Sequence, residues 1–409
     1  MKTSFPKEKL KILLLENIHP IAKKKLEEAG YSDVEILKTA LPESELIAAL
    51  QTTKIVGIRS KTKITQNVIA QCKHNLLAVG CFCIGTNQVQ LKEAAKAGVA
   101  VFNSPYSNTR SVAELVLAEC VMLLRRIPEK NAAAHKGDWL KTTEGSYELR
   151  GKTLGIVGYG HIGSQVSVLA EAFGMKVLYY DVVPKLPLGN AVNAESLEKL
   201  LSQSDIVTLH VPEENSTKNM VDAKFISHMK ENAIFLNLSR GTVVDIDALA
   251  KALTNKHLAG AAVDVYPLEP KGKGEKFKST LQGLSNVILT PHIGGSTNEA
   301  QYNIGIDVAT KIINYLDKGN TVGSHSIPAL NLPMQDGTHR ILHIHNNIPG
   351  VMSAINNAIS STNTNILGQY LKTNESIGYA VIDIAQIDSS KTLEQMKKIE
   401  GTIRTRILF

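Results

Sequence analysis

Lys152-Thr-Leu-Gly-Ile-Val-Gly-Tyr-Gly-His-Ile-Gly163 is an apolar run that ends in spaced glycines, and Val177-Leu-Tyr-Tyr-Asp181 follows it after a stretch compatible with a helix. The run over 154–157 predicts a buried strand that delivers the chain to a tight turn at Gly158. Gly160 has no side chain, so the backbone can approach a pyrophosphate, and Gly163 lets the next helix pack on the strand. The phosphates then sit at that helix's N-terminus, where unpaired N–H groups and the positive end of the dipole stabilise an anion. Asp181 ends the next apolar strand, placed for the two hydroxyls of an adenosine ribose, and its charge repels the 2′-phosphate of NADP. NAD is the expected cofactor. Glycines at this spacing also occur in turns of unrelated α/β proteins. Here the strand before, the helix-compatible 164–173 after and the acid beyond carry the assignment together.

Working outward, 409 residues are too many for one small core and predict two or three domains. Hydrophobic residues make up 43% and charged residues 20%, the proportions of an ordinary globular chain. No apolar run reaches the length of a membrane span, and Met1-Lys-Thr-Ser-Phe-Pro-Lys-Glu-Lys9 lacks the apolar centre of a signal peptide. The expected setting is the cytoplasm, with no membrane partner. Cys72, Cys81, Cys83 and Cys120 show no metal-ligand spacing and read as small apolar residues in a reducing compartment, so no metal is expected. The net charge of +7 raises nucleic acid as a partner, but the basic residues are scattered. Lys23-Lys-Lys25 lies beside Glu27 and Glu28 on an amphipathic helix, as a solvated face does, and no nucleic acid is expected. The cluster Lys271-Gly-Lys-Gly-Glu-Lys-Phe-Lys278 reads first as a mobile surface loop, and second as an attractor of a phosphorylated substrate.

Before the glycine-rich unit, strand-like runs at 12–15, 55–58, 77–79 and 100–102 alternate with helical segments such as 21–29 and 43–50. That alternation predicts a parallel sheet with crossover helices. A long helical pattern over 107–126 crosses to the glycine-rich unit, beyond which runs at 206–210, 233–238, 261–265 and 287–290 complete a second, larger parallel sheet. The helical stretch 298–317 carries the chain back to the first domain, and 320–337, with Pro328 and Pro333, reads as a looser linker. The tail has strands at 340–345, 363–373, 377–384 and 402–408, with helices at 351–360 and 390–399, a βαββαβ order of ferredoxin-like plan. The expected fold is α/β: two doubly wound parallel-sheet domains, the first discontinuous (1–106 with 297–332) and the second at 107–296, then a small domain at 338–409.

Ligands of an open parallel sheet sit beyond the carboxyl ends of its strands. The run 233–238 leads into Ser239-Arg240-Gly241, 261–265 leads toward Pro267-Leu-Glu269-Pro270, and 287–290 leads into Pro291-His292. Arg240, Glu269 and His292 thus follow successive strands at the nucleotide's edge. Taken singly they could be a salt bridge, a turn acid and a core histidine. Together they suit hydride transfer. Oxidising a secondary alcohol needs a base for the hydroxyl proton, a carboxylate fixes that base's tautomer, and an arginine fork holds a substrate carboxylate.

Leu238-Ser-Arg-Gly-Thr-Val-Val-Asp245, Asp264-Val-Tyr-Pro-Leu-Glu-Pro270 and Thr290-Pro-His-Ile-Gly-Gly-Ser296, with the glycine-rich turn, resemble the D-isomer-specific 2-hydroxyacid dehydrogenase family. The resemblance covers nearly the whole chain before the linker. It implies His292 as acid and base, Glu269 as its partner, Arg240 as substrate anchor and Asp181 on the adenosine ribose. It further implies cofactor contacts from Gly158, Gly160, His161, Ile162, Gly163, Leu238, Ser239, Asp264, Ile293, Gly294 and Gly295, with Asp264 near the nicotinamide end. Gly80-Cys-Phe-Cys-Ile-Gly-Thr-Asn87, Asn103-Ser-Pro-Tyr-Ser-Asn-Thr-Arg-Ser-Val-Ala-Glu114 and Lys185-Leu-Pro-Leu-Gly-Asn190 are similar to the short bacterial subgroup that carries a C-terminal ACT domain. That subgroup oxidises 3-phospho-D-glycerate to 3-phosphohydroxypyruvate, the first step of L-serine biosynthesis, and some members reduce 2-oxoglutarate to 2-hydroxyglutarate. The implied substrate residues are Arg59, Ser60 and Asn108. Arg59 and Ser60 also read as an ordinary strand-end turn. The loop with Trp139 and Lys141 approaches a neighbouring subunit in such enzymes.

The tail motif His343-Ile-His345-Asn-Asn347-Ile-Pro-Gly-Val351, with Asn363-Thr-Asn365, resembles the L-serine site formed between ACT domains of two subunits. It implies His345, Asn347 and Asn365 as effector residues and a homo-oligomer, a tetramer. Asparagine both donates and accepts, matching an amino acid's charged groups, although such residues also cap turns and helices. Ile348 departs from the arginine usual before this Pro-Gly. A rival reading is a non-catalytic NAD-sensing protein of the same fold, as some transcriptional corepressors are.

Overall fold

Buried aliphatic runs form the strands that position the site, and the computed structural model describes them within residues 6–270, 274–333, 337–385 and 389–408. The chain divides into two units, residues 1–107 with 301–409, and residues 108–300.

The first unit opens with β1 (Ile12–Leu14), α1 (Pro20–Glu28), β2 (Val34–Ile36), α2 (Glu43–Leu50), β3 (Ile55–Ile58), α3 (Gln66–Cys72), β4 (Ala78–Cys81), α4 (Leu91–Lys96) and β5 (Ala100–Phe102). The strands form a five-stranded parallel sheet in the order β2-β1-β3-β4-β5. The sequence reading lacks β2, α3 and α4, which are too short to show a period.

The second unit holds α5 (Thr109–Leu124), α6 (Ile127–His135), β6 (Thr153–Val157), α7 (His161–Ala172), β7 (Lys176–Tyr180), β8 (Val192–Asn193), α8 (Leu197–Gln203), β9 (Ile206–Leu209), α9 (Ala223–His228), β10 (Ala233–Asn237), α10 (Ile246–Thr254), β11 (Leu258–Val263) and β12 (Val287–Leu289). Its seven strands are all parallel, in the order β12-β11-β10-β9-β6-β7-β8. Strand order reverses between β6 and β9, the topological switch point where such sheets bind nucleotides. Gly158, just past β6, has φ +92, and a Cβ there would lie 2.5 Å from the carbonyl oxygen of His210, just past β9. Only glycine fits that turn.

The helix α11 (Asn298–Lys318) returns the chain to the first unit, which ends with β13 (Thr338–Asn346), α12 (Val351–Ser360), β14 (Ile366–Thr373), β15 (Ile377–Ala385), α13 (Ser389–Met396) and β16 (Thr402–Leu408). These strands form an antiparallel sheet in the order β14-β15-β13-β16, with the βαββαβ connectivity of the ferredoxin-like plan. Leu342, Ile344, Tyr379 and Val381 of this sheet share one apolar core with Ile12, Phe102, Ile312 and Tyr315. The segment read as a loose linker is packed instead. Thr321 Oγ1 donates to the Pro328 carbonyl at 2.7 Å, Ser326 Oγ to that of Val99 at 2.7 Å, and Ile327 is buried in the same core. Arg340, fully buried, donates to both carboxylate oxygens of Asp383 and to the carbonyls of Lys318, Leu332 and Pro333. Among the described residues, no helix is long and apolar enough to cross a membrane.

Candidate active site

Three loops of the second unit carry the reactive trio. His292 has a left-handed backbone, φ +55, a conformation that costs an L-residue roughly 1–2 kcal/mol and must be held. Asp264, buried just past β11, holds it. Its Oδ1 accepts from the Thr290 hydroxyl at 2.6 Å and the Ile293 amide at 2.7 Å, and its Oδ2 from the Gly294 amide at 2.9 Å. The turn presents His292 Nδ1 to both Glu269 oxygens, each at 3.0 Å. A carboxylate only accepts, so Nδ1 carries the proton and, in the neutral ring, Nε2 keeps a free lone pair.

Electrostatics sharpen this pair. The Glu269 hydrogen bond raises the imidazole above its ordinary value, assisted by the charges of Glu269 and Asp264 and opposed by burial and Arg240. Burial works to raise the Glu269 carboxyl, but His292, the Tyr266 amide and Arg240 outweigh it and hold the acid below its usual range. Arg240 follows β10, on a turn braced by Asn237: its side chain donates to the Arg240 carbonyl at 3.0 Å and accepts from the Ser239 amide at 3.1 Å and hydroxyl at 2.8 Å. Arg240 Nη1 donates to the Ser239 carbonyl at 2.7 Å, which leaves the rest of the fork for a ligand. Leu238 and Ser239 are buried beside it. The sequence reading passed over Asn237 and Thr290. A polar residue ending the apolar strand Ala233–Asn237 was the available signal.

At the switch point, Gly160 caps α7 with φ −83 and ψ −155, and a Cβ there would meet nothing within 4 Å. Among the described residues no contact demands a glycine at this position, so the open space fits a ligand's approach. Gly163 differs: a Cβ would lie 2.2 Å from the Gly158 carbonyl oxygen, so helix and strand could not close. The helix begins at His161, earlier than 164 as read from sequence, and puts His161 and Ile162 in its first turn at the glycine-rich loop. Asp181 Oδ2 accepts from the Tyr159 amide at 2.8 Å, tying the acid to the same turn while it stays half-exposed. The residues fit a dinucleotide.

Asn108, buried before α5, lies against the His292 loop, since a Cβ on Gly295 would fall 2.7 Å from its Nδ2; its Oδ1 has no hydrogen-bond partner. Glu119 of α5 is 1% exposed with both oxygens unpartnered, and burial, with the charge of Asp264, pushes its carboxyl up to about 8. Arg59 and Ser60 belong to the first unit, on the loop after β3. Its main chain is clasped by Glu16, whose Oε1 accepts from the amides of Arg59 (3.1 Å) and Thr62 (2.8 Å) and whose Oε2 accepts from that of Lys61 (2.9 Å). Of the basic cluster, Lys271 and Lys273 lie outside the described residues, and Lys276 and Lys278 are exposed.

In the antiparallel sheet, His345 is buried with its Nε2 unpartnered, while Asn347 is exposed and donates to the Asn374 carbonyl at 2.8 Å. Asn365 lies at the other end. Its carbonyl accepts from Ala385, whereas His345 pairs with Gly378, so the two are separated by seven positions of β15, roughly 24 Å along the strand.

A family model described as D-isomer specific 2-hydroxyacid dehydrogenase, NAD binding domain, matches residues 117–294, and one described as AHAS small subunit-like ACT domain matches 341–404. The chain is similar to D-3-phosphoglycerate dehydrogenase of Haemophilus influenzae, 51% identical over 408 residues that cover 100% of this chain and 99% of that one. It is 52% identical to the protein of that name from Escherichia coli strain K12, over 410 residues and 100% of both chains. The solved structure of D-2-hydroxyisocaproate dehydrogenase matches with a TM-score of 0.71 at 26% identity, covering 78% of this chain and 100% of that one.

Proposed function

Because the chain belongs to the D-isomer-specific 2-hydroxyacid dehydrogenase family and carries its NAD-binding domain, we propose that it oxidises 3-phospho-D-glycerate to 3-phosphohydroxypyruvate, opening L-serine biosynthesis. The observation that carries this reading is the His292–Glu269 pair, a base with one tautomer fixed by two 3.0 Å contacts. Bound NAD supplies the hydride acceptor, its nicotinamide C4. His292 Nε2 takes the hydroxyl proton, and Glu269 stabilises the imidazolium that results. Arg240 holds the substrate carboxylate and polarises the reacting oxygen. Arg59 and Ser60 bind the substrate's anionic groups, and Asn108 offers its unpartnered Oδ1. The first turn of α7, with Gly160, receives the pyrophosphate, and Asp181 the adenosine ribose. Ile293, Gly294 and Gly295 flank the nicotinamide end, where Asp264 braces their turn. 2-Oxoglutarate is a second substrate in this reading, its distal carboxylate standing in for the phosphate. An intact base and partner favour catalysis over pure NAD sensing.

L-Serine is the proposed effector, at His345, Asn347 and Asn365. Support comes from the ACT match over 341–404 and from the buried, unpartnered His345 Nε2. One chain cannot put Asn365 beside Asn347, so the site takes residues from two copies, in a tetramer whose other contacts include the loop of Trp139, 85% exposed, and Lys141. Four free thiols are in keeping with work in the cytoplasm.

The test is NADH-linked turnover of 3-phosphohydroxypyruvate and 2-oxoglutarate side by side, with and without L-serine. Fast, serine-inhibited reduction of the phosphorylated substrate is expected. No turnover of either, with NAD still bound, overturns the catalytic reading.

A further inference from the structure

Glu16 stands just beyond β1 in a left-handed conformation, φ +62, as does Asn17 at +54. It is buried, 8% exposed. Its carboxylate fills a concavity made by the main chain after β3, where the amides of Arg59, Lys61 and Thr62 converge on it. Converging backbone N–H groups of this kind form an anion-binding nest. Here the anion is the chain's own. Gln88, also buried, donates to the Arg59 carbonyl at 2.8 Å and fixes the loop's other face. Ser60 and Lys61 remain exposed and Arg59 half-exposed. The loop is thus clasped through its backbone, and the side chains of Arg59, Ser60 and Lys61 stay available.

We propose that Glu16 is the positioning residue of the substrate-anion loop: an internal carboxylate that occupies the loop's main-chain nest and so presents Arg59 and Ser60 to the substrate's anionic end. This rests on the reading of Arg59 and Ser60 as substrate residues. The carboxylate preorganises the loop. Without the carboxylate, three amides lose their acceptor, the loop samples other shapes, and the substrate must supply the ordering when it binds. A filled nest also keeps the substrate's phosphate from docking on the backbone, and directs it to the side chains.

The test uses the full chain with Glu16→Ala, Glu16→Gln and Arg59→Ala. Gln keeps the volume of Glu but turns an N–H toward the nest, so it serves if the smaller residue fails to fold. The expected result is a KM for 3-phosphohydroxypyruvate raised roughly tenfold or more in both Glu16 variants, with KM for NADH unchanged and kcat altered by less than about threefold. Formate, a small carboxylate, should restore KM in Glu16→Ala and not in Glu16→Gln, a recovery that a merely structural anchor does not predict. If Arg59→Ala raises KM while the Glu16 variants do not, or if formate leaves the raised KM of Glu16→Ala unchanged, the role of Glu16 is overturned. If Arg59→Ala itself leaves KM unchanged, the substrate reading of the loop falls, and the proposal with it.

Discussion

Glu269 raises the pKa of His292, the base of the proposed oxidation. A base for alcohol oxidation must be neutral, so kcat/KM in that direction falls as pH drops through the histidine's pKa, which Glu269 raises. Glu269→Gln still offers an amide oxygen to Nδ1 but removes the charge, and should move this acid limb to lower pH. A pH profile with an unmoved limb would detach Glu269 from His292. Glu119 gives a stability counterpart. Its folded pKa, about 8, lies above that of an exposed glutamate, so the folded state binds the extra proton and stability declines as pH rises between the two values. The slope is up to ~1.4 kcal/mol per pH unit. Glu119→Gln should flatten it in denaturant titrations from pH 5 to 8. Arg240, Glu269 and His292 were legible because each closely follows an apolar strand. Glu119 was not, since an acid in a helical pattern reads as a solvated position until both its neighbours and its helix are seen packed.

At the scale of elements, the β6-turn-α7 unit separates folding from binding within a few residues. Gly163→Ala drives a Cβ to 2.2 Å from the Gly158 carbonyl, and should cost both thermal stability and NAD affinity. Gly160→Ala meets nothing among the described residues, so it should leave the melting temperature unchanged while weakening NADH binding roughly tenfold or more in a fluorescence titration. Unaltered affinity would remove the pyrophosphate from that space. Long or strongly apolar elements were readable, α11 and the helix α12 among them. The helix α6 was missed because the break before it lies at Arg126, whose left-handed φ of +53 ends one helix and starts another without a glycine.

The whole molecule determines where regulation can reside. His345 and Asn347 lie at one end of the antiparallel sheet's strands and Asn365 at the opposite end, so a shared effector site needs a neighbour. Asn347→Ala and Asn365→Ala should each abolish serine inhibition when assembled alone. Mixed oligomers of the two variants should regain part of it, because one interface site then combines an intact Asn347 with an intact Asn365. Mixing that restores no inhibition, read in the NADH assay, would count against a two-copy site.

Sequence alone determined the parallel sheets, the dinucleotide turn and the residue types of the trio, because strand period, glycine spacing and polar residues at strand ends are local features of the chain. Tertiary structure decided what holds them. Asp264 braces a turn that begins 26 positions later, and Glu16 clasps amides 43 to 46 positions away. The antiparallel sheet buries its face in a core built largely from the first hundred residues. Such partners are chosen by packing in three dimensions, and a carboxylate's burial and its donors leave no periodic mark in the sequence.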